Sequence, residues 1–146
     1  MKDAKVEKAV SDYIAAFIDA LPGIEVPANI YGGGNAEIPD AETKVLVSCI
    51  TLNHLNGPLW TGDLLIEIKT PKNSGSHERH TEILDCLDPD TGALKASSIN
   101  IAALSAKLAT VAGMTTSGWY IRDVRGGNDS EEWISEADMF LRLMVS

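Results

Sequence analysis

Basic residues, aromatics and cysteines are all scarce in this sequence. Twelve Lys and Arg stand against 21 Asp and Glu, giving a formal net charge of −9 and a pI near 4.7. A chain this acidic gains nothing by displacing counterions from phosphates, which argues against a nucleic-acid grip. Cysteines number two, Cys49 and Cys86. They lack CxxC spacing and sit in apolar surroundings, so they read as reduced core thiols and point to a cytoplasmic origin. No apolar run approaches the roughly 20 residues that a membrane span needs. The first ten residues are amphipathic, have no continuous apolar stretch and do not read as a signal peptide. Motifs of chemistry are missing too: there is no GxSxG elbow, no HExxH pair and no Gly-Lys-Ser/Thr after the glycine run at 32–34. Acids are so frequent that pairs of carboxylates arise by chance and carry no weight. No catalytic residue, cofactor or metal is expected.

What is present is an ordinary globular composition, 45% hydrophobic and 23% charged over 146 residues. That suits one domain spanning residues 1–146 with its own core. The organising stretch is residues 43–70, with strand-forming runs at 44–52 and 63–70. Val45, Val47, Cys49 and Thr51 fall on one face of the first run. In the second, Leu64, Ile66 and Ile68 alternate with Leu65, Glu67 and Lys69. The pattern predicts an antiparallel hairpin with one side on a core. Its connection, 53–62, reads as longer than a tight turn and carries Leu55, Leu59 and Trp60.

Around that hairpin, residues 3–21 carry an apolar stripe (Val6, Val10, Tyr13, Ile14, Phe17, Ile18, Leu21) and predict a helix. Asp3 is its expected cap, and Pro22-Gly23 its stop. Residues 24–31 read as a short extended piece that Pro27 confines to a sheet edge, followed by a loop through 35–41. A helix is expected at about 76–87, capped by Ser74 or Ser76, then a firm turn at 88–92. Residues 98–112 predict a further helix, capped by Ser97 or Ser98 and stopped by Gly113. Strands follow at 118–125 and 132–145 around a flexible turn at 126–130. This second hairpin either joins the first in one sheet or forms its own lobe.

His77 and His80 lie three apart near Glu78 and Glu82, a spacing that can share one metal ion. Exposed polar residues at a helix start explain them better, and a metal-dependent hydrolase is the remote alternative. Asp88, Asp90 and Gly92 lack the further donors of a calcium loop and read as a turn. The remaining signal is adhesive. Trp60 with Leu55 and Leu59, Trp133 beside Ile134, and Tyr31 before the glycines are either partner anchors or parts of the rim.

The succession of elements resembles the tail terminator family of long-tailed phages, proteins similar to minor tail protein U. The likeness runs from the helix closing at Leu21-Pro22-Gly23, through Ala28-Asn29-Ile30-Tyr31 and the loop with Pro39, to the hairpin of 45–52 and 64–69. It continues with the helix at 77–87 and the closing strands at 119–124 and 139–145. The resemblance implies an α+β fold, order α-β-β-β-α(α)-β-β, with helices on one face of a largely antiparallel sheet. It also implies a structural protein, not an enzyme, that acts as a homo-oligomeric, hexameric ring. Such a ring caps the tail tube and joins it to the head connector protein. DNA passes through it without specific binding, and an acidic wall suits that passage. The location implied is the virion tail, with assembly in the host cytoplasm and no membrane. Contacts to neighbours and to the tube protein are then expected at Tyr31, Gly33, Leu55, Leu59, Trp60, Asn128, Asp129 and Trp133. Another small oligomeric neck or joining module, or a binding module, is the alternative.

Overall fold

The computed structural model describes residues 2–20, 29–32, 43–72 and 77–145, with residue 19 and residues 29–32 placed by backbone alone. Alternating apolar residues build the sheet. β1 (Asn29–Gly32), β2 (Lys44–Asn56), β3 (Leu59–Pro71), β4 (Met114–Asn128) and β5 (Glu132–Val145) form a five-stranded sheet in the order β1-β2-β3-β5-β4. All neighbours are antiparallel except β1, which runs parallel to β2 at the edge. The two hairpins thus join in one sheet through the central β3–β5 pair, and the fold is α+β.

One face of that sheet is apolar. Val45, Val47, Leu64, Ile66, Ile68, Ala137, Met139, Leu141, Trp119 and Ile121 are all buried there. Each large aliphatic among them contributes roughly 1.5–3 kcal/mol by leaving water. The opposite face is a ladder of charges, with Arg122 3.2 Å from Asp63 and Arg125 3.5 Å from both Glu136 and Asp138.

The helices cover the apolar face. α1 (Lys2–Ala20) buries Val6, Ala9, Val10, Tyr13, Ile14 and Ile18 and lies on β1, β2 and α3. It begins at Lys2, so Asp3 stands inside the first turn and does not cap it. Leu21 and the expected stop at 22–23 lie outside the described residues. α2 (His77–Asp85) packs on β3 and β5, and ends two residues before the buried Leu87; Ser74 and Ser76 lie outside the described residues. α3 (Ser98–Ala112) packs on β4. Ser97 is its cap, accepting a hydrogen bond from Asn100 N at 3.2 Å, and the Gly113 N–H donates to Leu108 O. Tyr13 and Trp119 meet edge-on at 6.2 Å between α1 and the sheet. Burial pushes the Tyr13 phenol up to about 12.

The register departs from simple alternation at residue 50. Cys49 pairs with Leu64 but Thr51 pairs with Asp63, so Ile50 is an extra residue and the faces exchange beyond it. Leu52 therefore joins Val45, Val47 and Cys49 on the helix side, packed against the core, while Thr51 moves to the charged side. Expected strand ends move as well. Both strands of the first hairpin run on through the expected loop 53–62 to a two-residue turn, Gly57-Pro58. Gly57 takes φ 52°, the positive value that the first central position of such hairpin turns requires. In the second hairpin β4 starts at Met114 and runs through Asn128, leaving only 129–131 as connection.

Candidate functional site

β3 and β5 pair along their whole length, from Leu59 opposite Met144 at one end to Pro71 opposite Glu132 at the other. Thirteen residues of strand separate the two ends by roughly 40 Å. Leu55, Leu59 and Trp60 belong to the first end, and Asn128, Asp129 and Trp133 to the second.

At the first end the β2–β3 hairpin presents a hydrophobic tip. Leu55 is 58% exposed, and Leu59 is exposed beside it. Met144 and Val145 of β5 extend the patch, with Met144 opposite Leu59 and Val145 N donating to Pro58 O at 2.9 Å. Both are also exposed. Trp60 behaves differently. It turns to the helix side, packs against the core, lies 4.7 Å from the His54 ring and carries the Lys2 ammonium 4.3 Å above it. It stiffens the base of the tip, and the leucines form its surface.

Beside this tip, Lys2, Asp3, Cys49, Ile50, Thr51, Leu52 and Trp60 line an open groove of about 320 Å³. Cys49 is half-buried, and its N–H donates to Glu7 Oε1 at 2.6 Å, which occupies an outward-facing amide of β2. Burial, then Glu7, Asp3 and Asp63, push its thiol up to about 11, so it is a poor nucleophile. Cys49 and Cys86 are both free thiols.

At the second end Trp133 is half-buried. It stacks on His77 at 4.8 Å with Lys72 5.8 Å from its ring. Asn128 and Asp129 are exposed. Asp129 Oδ1 accepts from Glu131 N at 2.8 Å and Glu132 N at 2.7 Å, bonds that close the turn and hold its carboxyl below the usual range. Lys72 Nζ donates to Asn128 Oδ1 at 2.8 Å. This end is polar, and beside it the buried Glu132 Oε2, which has no hydrogen-bond partner among the described residues, lies 3.9 Å from Lys44 Nζ. Tyr31 pairs through its backbone with Leu46; its side chain and Gly33 lie outside the described residues, as does the loop 35–41.

The rings of His77 and His80 lie stacked with their centroids 6.4 Å apart. His80, expected at the surface, is 3% exposed. Its Nδ1 is 2.9 Å from Thr70 Oγ1 and its Nε2 2.7 Å from Ser135 Oγ, so both ring nitrogens already serve α2 and the sheet. Among the described residues no group of three or more His, Cys, Asp and Glu is placed to hold a metal. Asp88 Oδ1 accepts from Asp90 N and Thr91 N, both at 2.9 Å, as a turn former does.

No family model and no curated protein matches this chain.

The geometry therefore separates the expected contact residues. It groups Leu55 and Leu59 with Met144 and Val145, which periodicity left as the end of a strand, and with Ile50, exposed by the bulge. A hydrophobic, charge-free surface at the end of paired strands β3 and β5 suits protein contact, because its burial needs no desolvated charge.

Proposed function

We infer that the protein is a structural assembly subunit of a phage or prophage tail, acting as a ring of copies of itself that caps the tail tube and meets the head connector. The observation that carries this reading is the exposed leucine tip of the β2–β3 hairpin. That tip is held in the sheet by the pairing of Leu59 with Met144, and its apolar surface has no cover within its own chain among the described residues. Support also comes from the element order and from the resemblance it bears to tail terminators. An excess of nine negative charges suits a ring through which DNA slides without adhering. The reading assigns the protein no catalytic role and places it in the virion tail, after assembly in the host cytoplasm.

The test is tube growth. Purified tail tube protein from the same phage or prophage, polymerised with and without this protein, is measured by electron microscopy. Tubes of arrested length with a ring at one end are expected. Tubes that lengthen at the same rate and carry no added density would contradict the tail assignment.

A further inference from the structure

Seven asparagines occur in the chain, and only one of them, Asn56, is followed by glycine. That dipeptide opens the turn of the β2–β3 hairpin. An asparagine amide is lost when the backbone nitrogen of the next residue attacks the side-chain carbonyl carbon. A side chain on that next residue stands in the way of the attack, and glycine has none. In a folded protein the reaction also needs an unbonded nitrogen, an unbonded amide and room for the ring they close.

Asn56 meets these conditions. The β2–β3 ladder ends with Asn56 opposite Leu59, so the Gly57 N–H lies past the last rung and has no acceptor among the described residues. The Asn56 side chain is exposed and makes no hydrogen bond among the described residues. A Cβ placed on Gly57 would meet nothing within 4 Å, so the space beside that nitrogen is open. The register shifts between His54 and Asn56, leaving Leu55 as an extra residue where the ladder is locally disrupted. The other bonds of the turn, His54 Nε2 with Gly57 O at 2.8 Å and Val145 N to Pro58 O at 2.9 Å, engage carbonyls and leave the nitrogen clear.

The asparagines elsewhere are held. Asn100 Nδ2 donates to Ala93 O and Lys95 O, each at 2.9 Å, and Ile101 follows it. Asn128 Oδ1 accepts from Lys72 Nζ at 2.8 Å, and Asp129 follows it. Asn53 stands inside the ladder opposite Thr61, with His54 next.

We propose that Asn56-Gly57 is a site of spontaneous deamidation in the folded protein, with water as the co-reactant. Gly57 N gives its proton to solvent and bonds to Asn56 Cγ; the Cγ–Nδ2 bond breaks, and the amide leaves as ammonia. Water then opens the cyclic imide. Breaking the bond from Gly57 N to Cγ leaves Asp at position 56. Breaking the bond from Gly57 N to the Asn56 main-chain carbonyl carbon leaves isoaspartate, whose backbone runs through Cγ. One water enters, one ammonia departs, and nothing is oxidised or reduced. Either product sets a carboxylate between Leu55 and Leu59, and isoaspartate also lengthens the chain at the last rung. The modification therefore ages the hydrophobic end, because a charge there must be desolvated in any contact. That consequence rests on the assembly reading above; the chemistry does not.

Peptide mass spectrometry of the purified protein tests it, after storage in mildly alkaline buffer at physiological temperature with circular dichroism confirming the fold. Fragmentation separates Asn56 from Asn53. Asn56 is expected to gain the mass difference between a hydroxyl and an amino group and to yield both Asp and isoaspartate. Its conversion is expected to outpace that of Asn53, Asn100 and Asn128 by at least about tenfold, the advantage of a following glycine. Asn56→Gln, which needs a larger ring, is expected to lose the conversion at this position. An intact Asn56 in the folded chain, a product without isoaspartate, or equal conversion at the other asparagines overturns the proposal, and the native chain alone decides if the variant misfolds. Conversion at Asn56 with unchanged sedimentation supports the site and contradicts only the contact role of this end.

Discussion

His80 stands between two hydroxyls, Thr70 Oγ1 and Ser135 Oγ, and Thr70 Oγ1 lies a further 3.2 Å from Thr43 Oγ1. The chain of polar groups ties α2 to β3 and β5 inside the core. Burial, and then the neighbouring His77, lower the pKa of this imidazole from its ordinary 6.5. The unfolded chain therefore takes up a proton near pH 6.5 that the folded chain resists. Stability from this group is complete above that pH and is lost as pH falls toward the folded value. Urea unfolding followed between pH 7 and pH 5 is expected to show falling stability in the wild type and a shallower fall in His80→Gln. At pH 7 that variant is expected to be about 1–3 kcal/mol less stable, since a buried hydroxyl loses its partner. An equal pH slope in both proteins would refute the role given to His80. Gly92 offers a second residue-scale test. A Cβ there would collide with Asp88 O and Cys86 O, backbone atoms that cannot swing aside. Gly92→Ala is expected to cost about 2 kcal/mol or more in thermal unfolding, and no measurable change would mean that the 88–92 turn is looser than described.

Among elements, α3 shows a local signal that suffices. Its apolar spacing, its serine cap and its glycine stop all act within a few residues, and the helix begins and ends where they indicate. Ser97→Ala is expected to destabilise the fold by about 1 kcal/mol in chemical denaturation, with Ser98→Ala near neutral. The hairpins show where local signals fail. Alternation revealed both of them and the apolar face, but not the extra residue at Ile50, which nothing in the run 48–52 marks. Thr51 and Leu52 exchanged faces in consequence. Asn56-Gly57-Pro58 was visible as a reversal, yet the strands continue to its very edge because pairing with β5 extends the ladder, a partner about 80 residues away in sequence. His80 was misread for the same reason. Its environment comes from Thr70 and Ser135, which only the folded sheet brings to it. The grouping of Leu59 with Met144 is likewise a product of register, which periodicity does not carry.

At the scale of the molecule, the three helices among the described residues occupy one face of the sheet and a charge ladder the other, so the exposed apolar surface of the described strands collects at the sheet's ends and edges. The Trp60 and Trp133 ends differ in kind. The first is aliphatic and exposed, and the second is closed by Asp129, Asn128 and Lys72. The account predicts that the first end associates and the second does not. Asp129→Ala is accordingly expected to loosen its own turn by about 1 kcal/mol without altering association, as read by thermal melting beside size-exclusion chromatography. The most direct measurement is sedimentation velocity of the purified protein across a hundredfold concentration range, beside a Leu55→Asp, Leu59→Asp double variant of equal thermal stability. The account predicts a discrete ring-sized species for the wild type and a monomer for the variant. A wild type that sediments as a monomer throughout, or a variant that still assembles, would contradict it.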